Sequence, residues 1–285
     1  MTSSNVSIII PAFNEAEVIG SIVNSILSAF PESEIIVVND GSTDSTAEEI
    51  VVSGVIVLNH DHNRGYGASL KTGTRAATRD YILFCDGDGQ HSVEDVRRLI
   101  NECDGYDLVV GARNSDSHQP IIRRPGKVIM KKFAELLAGT TIPDLNSGLR
   151  IFKRDTLMRY LHLMPDGFSF STTSTFAIMK SNRKYKYIPI KVKKRAGKST
   201  VSQLKHGPQA LLLILRLAVL FEPLKVFLTV AGVLFVLSII SFLLDFFSTG
   251  GIADTTVLLS IATIIIFMCG LLCDQVSAMR REKHE

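Results

Sequence analysis

The segment Asp86-Gly87-Asp88-Gly89-Gln90-His91 sets two carboxylates and a side-chain amide within five residues. Carboxylates so close repel and raise each other's pKa, a conflict that a divalent cation removes. Two Asp and one amide carbonyl form a hard oxygen set suited to Mg²⁺ or Mn²⁺, with positions left open for phosphate oxygens. Similar groups follow three other apolar runs: Pro11-Ala-Phe13-Asn-Glu15, Asn39-Asp40-Gly-Ser-Thr-Asp44 and Gly111-Ala-Arg113. Three acidic clusters and an arginine at one edge would be costly in a purely structural protein. Around a metal and an anionic ligand they have a use.

Two rival readings of the glycine-rich segments fail on spacing. An EF-hand loop beginning at Asp86 would have Gln90 fifth, His91 where glycine belongs, and Arg97 where glutamate belongs. Gly65-Tyr-Gly67-Ala-Ser-Leu70 lacks the third glycine and the downstream acid of a dinucleotide fingerprint.

The elements that must position these groups are legible as apolar runs. Val6–Pro11, Ile35–Asp40, Val55–Asn59, Tyr81–Cys85 and Leu108–Gly111 are continuous enough for strands covered on both faces. Segments of helical length separate them: Glu15–Phe30, Asp44–Val52, Ala68–Thr78 and Val93–Cys103. The resulting βαβαβαβαβ order predicts an α/β fold with a Rossmann-like, mainly parallel doubly wound sheet. Ligands of such sheets bind at the carboxyl ends of the strands, where the acidic clusters lie.

Averages hide a second region. The 285 residues are 46% hydrophobic and 21% charged, with 31 Lys+Arg against 28 Asp+Glu for a net charge of +3, and the mean hydropathy is +0.24. Such a composition excludes a disordered or fibrous chain. The positive hydropathy comes from the last 75 residues. Leu224–Leu244 contains only Lys225, and Thr255–Cys273 contains no charge. Runs of this length match a hydrocarbon core of about 30 Å, and buried helices of a soluble core would normally show a polar face. The turn Phe246–Asp254 has no Lys or Arg, whereas Lys191–Lys205 and Arg280, Arg281 and Lys283 are basic flanks. Basic flanks stay inside, which predicts an integral membrane protein with both termini and the N-terminal domain in the cytoplasm. No basic n-region or apolar h-region marks a cleavable signal. Cys85, Cys103, Cys269 and Cys273 lack CxxC spacing and read as packing residues.

Gln209–Phe221, interrupted by Arg216, is too short to span and reads as an interfacial helix. The expected organisation is therefore a catalytic domain over 1–205, a juxtamembrane helix over 206–222, a hairpin over 223–279 with spans at about 224–244 and 255–273, and a tail over 280–285.

PAFNE, VVNDGSTDST, NRGYGASLKTG, DGDGQH, GAR and DLNSGLRIF, in this order, resemble the family 2 glycosyltransferases of GT-A fold. Within them the chain is similar to the polyprenyl-phosphate hexose synthases of the dolichol-phosphate-mannose synthase type, over residues 5 to 200. The resemblance implies that Pro11, Phe13, Glu15 and Asp40 hold the nucleotide. It implies that Asp86, Gly87, Asp88 and Gln90 hold the metal and donor diphosphate, that Arg113 contacts the donor phosphates, and that Arg123 or Arg124 binds an acceptor phosphate. Asp40 also has a local reading, as a helix cap or turn residue. Where the synthases end this region with Arg and then Gly-x-Ser-Lys, this chain has Arg195-Ala-Gly-Lys198-Ser-Thr200. The donor-phosphate clamp is left between Arg195 and Lys198.

The acceptor side is basic, with ten Lys or Arg and no acid from Lys180 to Lys205. These charges serve either as a solvated face drawn to lipid headgroups or as a phosphate site. Adjacent membrane spans and the lack of a binding motif exclude nucleic acid. No Asp or Glu lies between Asp166 and Lys198. A hydroxyl acceptor needs a base, for which Asp144 is the candidate; a phosphate monoester needs none. Ser171, Thr172 and Thr173 either hydrogen-bond the sugar or cap the following helix.

The leading expectation is an inverting, metal-dependent transferase, with Asp88 and Arg113 in catalysis. It moves a hexose from a UDP- or GDP-sugar to undecaprenyl or dolichyl phosphate. Two alternatives stand beside it: a family 2 transferase that extends a glycan or lipid-linked sugar with Asp144 as base, and an inactive membrane-anchored subunit that binds nucleotide sugar. Two spans are too few to flip a lipid product unaided, which calls for a separate flippase, and the hairpin offers a surface for a homo-oligomer.

Overall fold

The computed structural model describes residues 2–113, 135, 139–167, 169–181, 183–192, 219, 222–248 and 250–282. Arg123, Arg124, Arg195, Lys198 and all of the expected juxtamembrane helix except residues 219 and 222 lie outside the described residues. The chain divides into two units, Met1–Gly207 and Pro208–Glu285.

The first unit is built on one seven-stranded sheet, β1 (Val6–Ala12), β2 (Glu34–Asn39), β3 (Val55–Asn59), β4 (Tyr81–Phe84), β5 (Leu108–Arg113), β6 (Arg150–Lys153) and β7 (Tyr185–Ile190), in the order β3-β2-β1-β4-β6-β5-β7. All neighbours pair in parallel except β6, which runs antiparallel to both β4 and β5. Every residue of β1 is buried, and Ile8, Ile10, Val37, Leu83 and Val109 lie in one core with Val23 and Leu99 from the covering helices. That double coverage is why these strands read as unbroken apolar runs instead of alternating ones.

Helices α1 (Ile19–Ala29), α2 (Thr46–Glu49), α3 (Tyr66–Ala76), α4 (Val93–Glu102), α5 (Arg154–Tyr160) and α6 (Phe170–Lys180) connect the strands. α1 begins four residues later than its sequence suggests. The amides of Asn14, Glu15 and Ala16 donate instead to Ser42 Oγ, Thr46 Oγ1 and Asp44 Oδ2 across the site edge, at 3.1, 2.9 and 3.3 Å. α2 is shorter than the expected Asp44–Val52, and α3 starts two residues early, after Gly65 at φ +102°. α4 is capped by Ser92, whose Oγ accepts the Asp95 amide at 3.1 Å.

The second unit is a pair of long apolar helices, α7 (Pro223–Ser248) and α8 (Asp254–Glu282). The 26 residues of α7 extend about 39 Å, enough to cross a bilayer. Polar side chains join the two helices: Ser238 to Ser260 at 2.7 Å, Ser241 to Thr256 at 2.6 Å, and Thr256 Oγ1 to Asp245 at 2.7 Å. A Cβ at Gly270 would stand 2.6 Å from the Phe227 Cβ, so the close approach there requires glycine. Small residues and hydrogen bonds of this kind hold helices together where lipid removes the hydrophobic drive.

Candidate active site

The carboxyl ends of β1, β2 and β4 lie side by side, and each carries one of the acidic loops. The first two loops are laced together. Asn14, in the left-handed region at φ 55°, accepts the Thr43 amide on its Oδ1 at 2.8 Å, and Ser42, Asp44 and Thr46 hold the amides of residues 14 to 16. Pro11 is buried, and Phe13 and Glu15 are half-buried on the same loop. A Cβ at Gly87 would meet the Pro11 carbonyl at 2.9 Å, so glycine lets the β4 loop close onto β1.

Asp40, at the end of β2, is buried, with 3% of the residue exposed. Oδ1 contacts His60 Nδ1 at 2.6 Å and accepts the Arg64 amide at 2.9 Å, and Oδ2 accepts the Gly65 amide at 2.8 Å. These bonds hold the segment entering α3. Asn39, not Asp40, closes the turn by accepting the Ser42 amide at 3.1 Å, which corrects the local reading of Asp40 as a turn residue.

Asp86 is gripped from two sides. The Tyr66 hydroxyl donates to Oδ1 at 2.8 Å, and His91 Nε2 stands 3.6 Å from Oδ2. A Cβ on Gly148 would stand 1.9 Å from Oδ2. Burial acts to raise the Asp86 pKa, but the nearby His91, the hydrogen bond from the Tyr66 hydroxyl and the Arg150 cation outweigh it and leave the carboxyl below its ordinary value. Burial and the Asp86 charge push the Tyr66 phenol well above its ordinary value, so it remains a donor. Asp88 Oδ1 accepts the Gln90 amide at 3.1 Å, tightening the turn.

Asp86, Asp88 and Gln90 supply oxygen donors on one short turn, a chemistry that fits Mg²⁺ or Mn²⁺. Among the described residues no group of three or more His, Cys, Asp or Glu is gathered to hold a metal ion. A cation here would take its remaining ligands from phosphate oxygens and water.

Because β6 is antiparallel, its first residue and the preceding Asn146–Leu149 loop join the same edge. There Asp144 pairs with Arg113 at the end of β5: Nε to Oδ2 at 2.6 Å and Nη2 to Oδ1 at 2.8 Å, with the Arg113 amide on Oδ2 at 3.2 Å. Burial acts to raise the Asp144 pKa, but these bonds and the Arg113 charge hold the carboxyl below its ordinary value. A carboxylate with both oxygens engaged by one guanidinium has its proton-accepting sites occupied, which counts against Asp144 as a general base.

Arg150, the first residue of β6, is fully buried. Its Nε and Nη2 donate to the Ser147 carbonyl, Nε at 2.9 Å. Nη1 donates to the Ser171 carbonyl, Ser174 Oγ and Thr175 Oγ1 at 2.7, 3.1 and 3.2 Å. An arginine satisfied by neutral oxygens leaves a positive charge beneath Asp86. Thr172 donates to Asn146 Oδ1 at 2.7 Å, so the first turn of α6 ties back to the same loop.

Residues 7–161 match the sequence model of Glycosyl transferase family 2. The chain belongs to this family. Residues 222–279 match the GtrB C-terminal hairpin, so α7 and α8 are the membrane hairpin of a family 2 glycosyltransferase. An uncharacterised protein of Methanocaldococcus jannaschii is 32% identical over 201 residues, 67% of this chain and 82% of its own. A UDP-N-acetylglucosamine–dolichyl-phosphate N-acetylglucosaminyltransferase of Methanococcus voltae is 30% identical over 183 residues, 55% and 72% of the two chains. An undecaprenyl-phosphate mannosyltransferase of Micrococcus luteus is 27% identical over 210 residues, 68% and 86%. Glucosyl-3-phosphoglycerate synthase from Mycobacterium tuberculosis, solved with Mn²⁺, UDP and glucosyl-3-phosphoglycerate, shares the fold. Its TM-score is 0.61 at 19% identity, covering 75% of this chain and 79% of that one.

The structure thus gathers Pro11, Phe13, Glu15, Asp86, Gly87, Asp88, Gln90, Arg113 and Asp144 at one edge of the sheet, with Asp40 beneath it. Sequence reasoning missed Tyr66, His91, Gly148 and Arg150. A signal for the last was present: a lone arginine inside the apolar run Leu149–Phe152 must be either exposed or hydrogen-bonded in full.

Proposed function

We propose that this family 2 glycosyltransferase transfers a hexose, with inversion at C1, from a UDP- or GDP-sugar to a polyprenyl phosphate, undecaprenyl or dolichyl. The observation that carries the reading is the bidentate Arg113–Asp144 pair, which occupies the candidate base. An oxygen of the lipid phosphate, already anionic near neutral pH, forms a bond to C1. The C1–O bond to the diphosphate breaks, and the nucleoside diphosphate departs with the electron pair. No proton has to be taken from the acceptor.

Asp86, Asp88 and Gln90 would hold Mg²⁺ or Mn²⁺, which supplies positive charge to the departing diphosphate. Arg113 presents its Nη1 edge, which makes no hydrogen bond among the described residues, to the same phosphates. Pro11, Phe13 and Glu15 border the nucleotide. Asp40 borders the nucleotide with them and also holds the loop that enters α3. Arg123 or Arg124 binds the acceptor phosphate, and Arg195 or Lys198 closes on the donor. The printed activities of the Methanococcus and Micrococcus relatives support the lipid-phosphate acceptor, and the Mn²⁺ and UDP of the Mycobacterium structure support the donor and metal.

The catalytic domain, residues 1–205, lies in the cytoplasm with both termini, and residues 206–222 join it to the hairpin. The basic flanks and the uncharged hairpin turn support this orientation. A separate flippase receives the product. The test is a panel of UDP-glucose, UDP-GlcNAc and GDP-mannose with polyprenyl phosphate and Mn²⁺. One donor should yield a glycolipid that EDTA abolishes. Donor hydrolysis or binding without glycolipid from any of them would contradict the reading.

A further inference from the structure

The hydroxyl of Tyr66 stands where three segments meet. It donates to Asp86 Oδ1 at 2.8 Å and is hydrogen-bonded to Ser171 in the first turn of α6. Its own position is fixed from below, because Asp40 holds the amides of Arg64 and Gly65 immediately before it. Gly67, one residue on, lies so close to the 165–167 loop that a Cβ would stand 2.2 Å from the Pro165 carbonyl. The first turn of α6 is fixed in turn by Arg150, through the Ser171 carbonyl, Ser174 and Thr175.

An aspartate carboxylate has a broad χ2 preference of its own, and one that rotates presents its oxygens to a cation only part of the time. Tyr66 holds Oδ1, while the Gly148 backbone leaves room for Oδ2 in one orientation. We infer that Tyr66 is a positioning residue: its hydroxyl fixes the Asp86 carboxylate for the divalent cation and joins the donor-side carboxylate to the acceptor-side helix α6 through Ser171. The inference rests on the reading of Asp86 as a metal ligand. In this role Tyr66 acts through Asp86, to which its hydroxyl donates. Partners that orient ligating carboxylates typically change metal affinity about 10- to 100-fold when removed.

The experiment is Mn²⁺ binding to the full-length protein in detergent with saturating UDP or GDP, followed by the Mn²⁺ EPR signal. Tyr66→Phe keeps the ring and removes one oxygen. It should weaken Mn²⁺ binding about 10-fold or more and raise the Mn²⁺ concentration for half-maximal activity equally. The rate at saturating Mn²⁺ should stay near wild type, and the protein should still unfold in a single cooperative transition. Ser171→Ala, which removes the bond that holds the phenol, should weaken Mn²⁺ binding in the same direction by a smaller factor, and it decides the question if Tyr66→Phe does not fold. Mn²⁺ affinity unchanged in a folded Tyr66→Phe, or in Ser171→Ala where that variant decides, overturns the inference while the functional reading stands. A wild-type protein that binds no Mn²⁺ beside its nucleotide overturns both.

Discussion

Gly148→Ala tests whether the Asp86 carboxylate must stand where it does. Gly148 is not among the residues with positive φ, so alanine suits its backbone. The obstacle is the carboxylate: the new Cβ would lie 1.9 Å from Oδ2, 2.5 Å from Cγ and 2.6 Å from Oδ1. Real Cβ contacts do not fall below 3.0 Å, so the carboxylate must retreat by about 1 Å, and a displacement of that size at a reacting centre costs about 100-fold. In free energy that is about 2.7 kcal/mol of lost transition-state stabilisation. The side chain of Asp86 is 28% exposed and has somewhere to go, so the penalty to folding should stay near the about 1–3 kcal/mol typical of overpacking. The assay is kcat/KM for glycolipid formation alongside thermal unfolding. A folded Gly148→Ala protein with activity within threefold of wild type would refute the placement of Asp86 at the reacting centre.

Three further outcomes follow from the same geometry. Asp144→Asn should leave the acidic side of the pH–rate profile in place, because Asp144 accepts no proton in the reaction. Its folded pKa lies below the unfolded value, so its contribution to stability is complete above about pH 4 and is lost as pH falls through the folded pKa. The melting temperatures of wild type and Asp144→Asn should therefore differ by a constant amount from pH 5 to 7 and converge below about pH 4. Asp88→Ala should abolish Mn²⁺-dependent nucleotide binding, measured calorimetrically; binding that survives would favour a degenerate, non-catalytic site. Asp40→Ala leaves the amides of Arg64 and Gly65 without an acceptor, at about 1–3 kcal/mol each. Thermal unfolding should register that loss, and a stable Asp40→Ala protein with weakened nucleotide binding would show that Asp40 serves the donor alone.

Much of the scaffold was legible because strands covered on both faces must be apolar throughout, as in β1, β2 and β4. β6 was hidden because its four residues, Arg150–Lys153, begin and end with a charge, and β7 because Lys186 and Pro189 interrupt it within a basic stretch. Helix starts were misjudged where tertiary bonds compete: the amides of residues 14 to 16 serve the β2 loop instead of a helix. The acidic clusters were legible as a site, since adjacent carboxylates demand a reason. Their division of labour was not. The donors that occupy Asp40 come from His60, Arg64 and Gly65, 20 to 25 residues later, and the arginine that occupies Asp144 lies 31 residues earlier. Spacing within a motif carries no trace of either. Tyr66 was invisible for a related reason, and Arg150 was legible only as a lone arginine in an apolar run, since the partners of each lie on segments that meet only in the folded sheet.

The central claim is that the acceptor is a phosphate and that no side chain has to activate it. The direct measurement is product formation from one accepted nucleotide sugar and Mn²⁺, with a polyprenyl phosphate and the matching polyprenol offered in parallel. The account predicts glycolipid from the phosphate alone, at a rate that Asp144→Asn reduces without changing its pH dependence. Transfer to the polyprenol hydroxyl, abolished in Asp144→Asn, would contradict it.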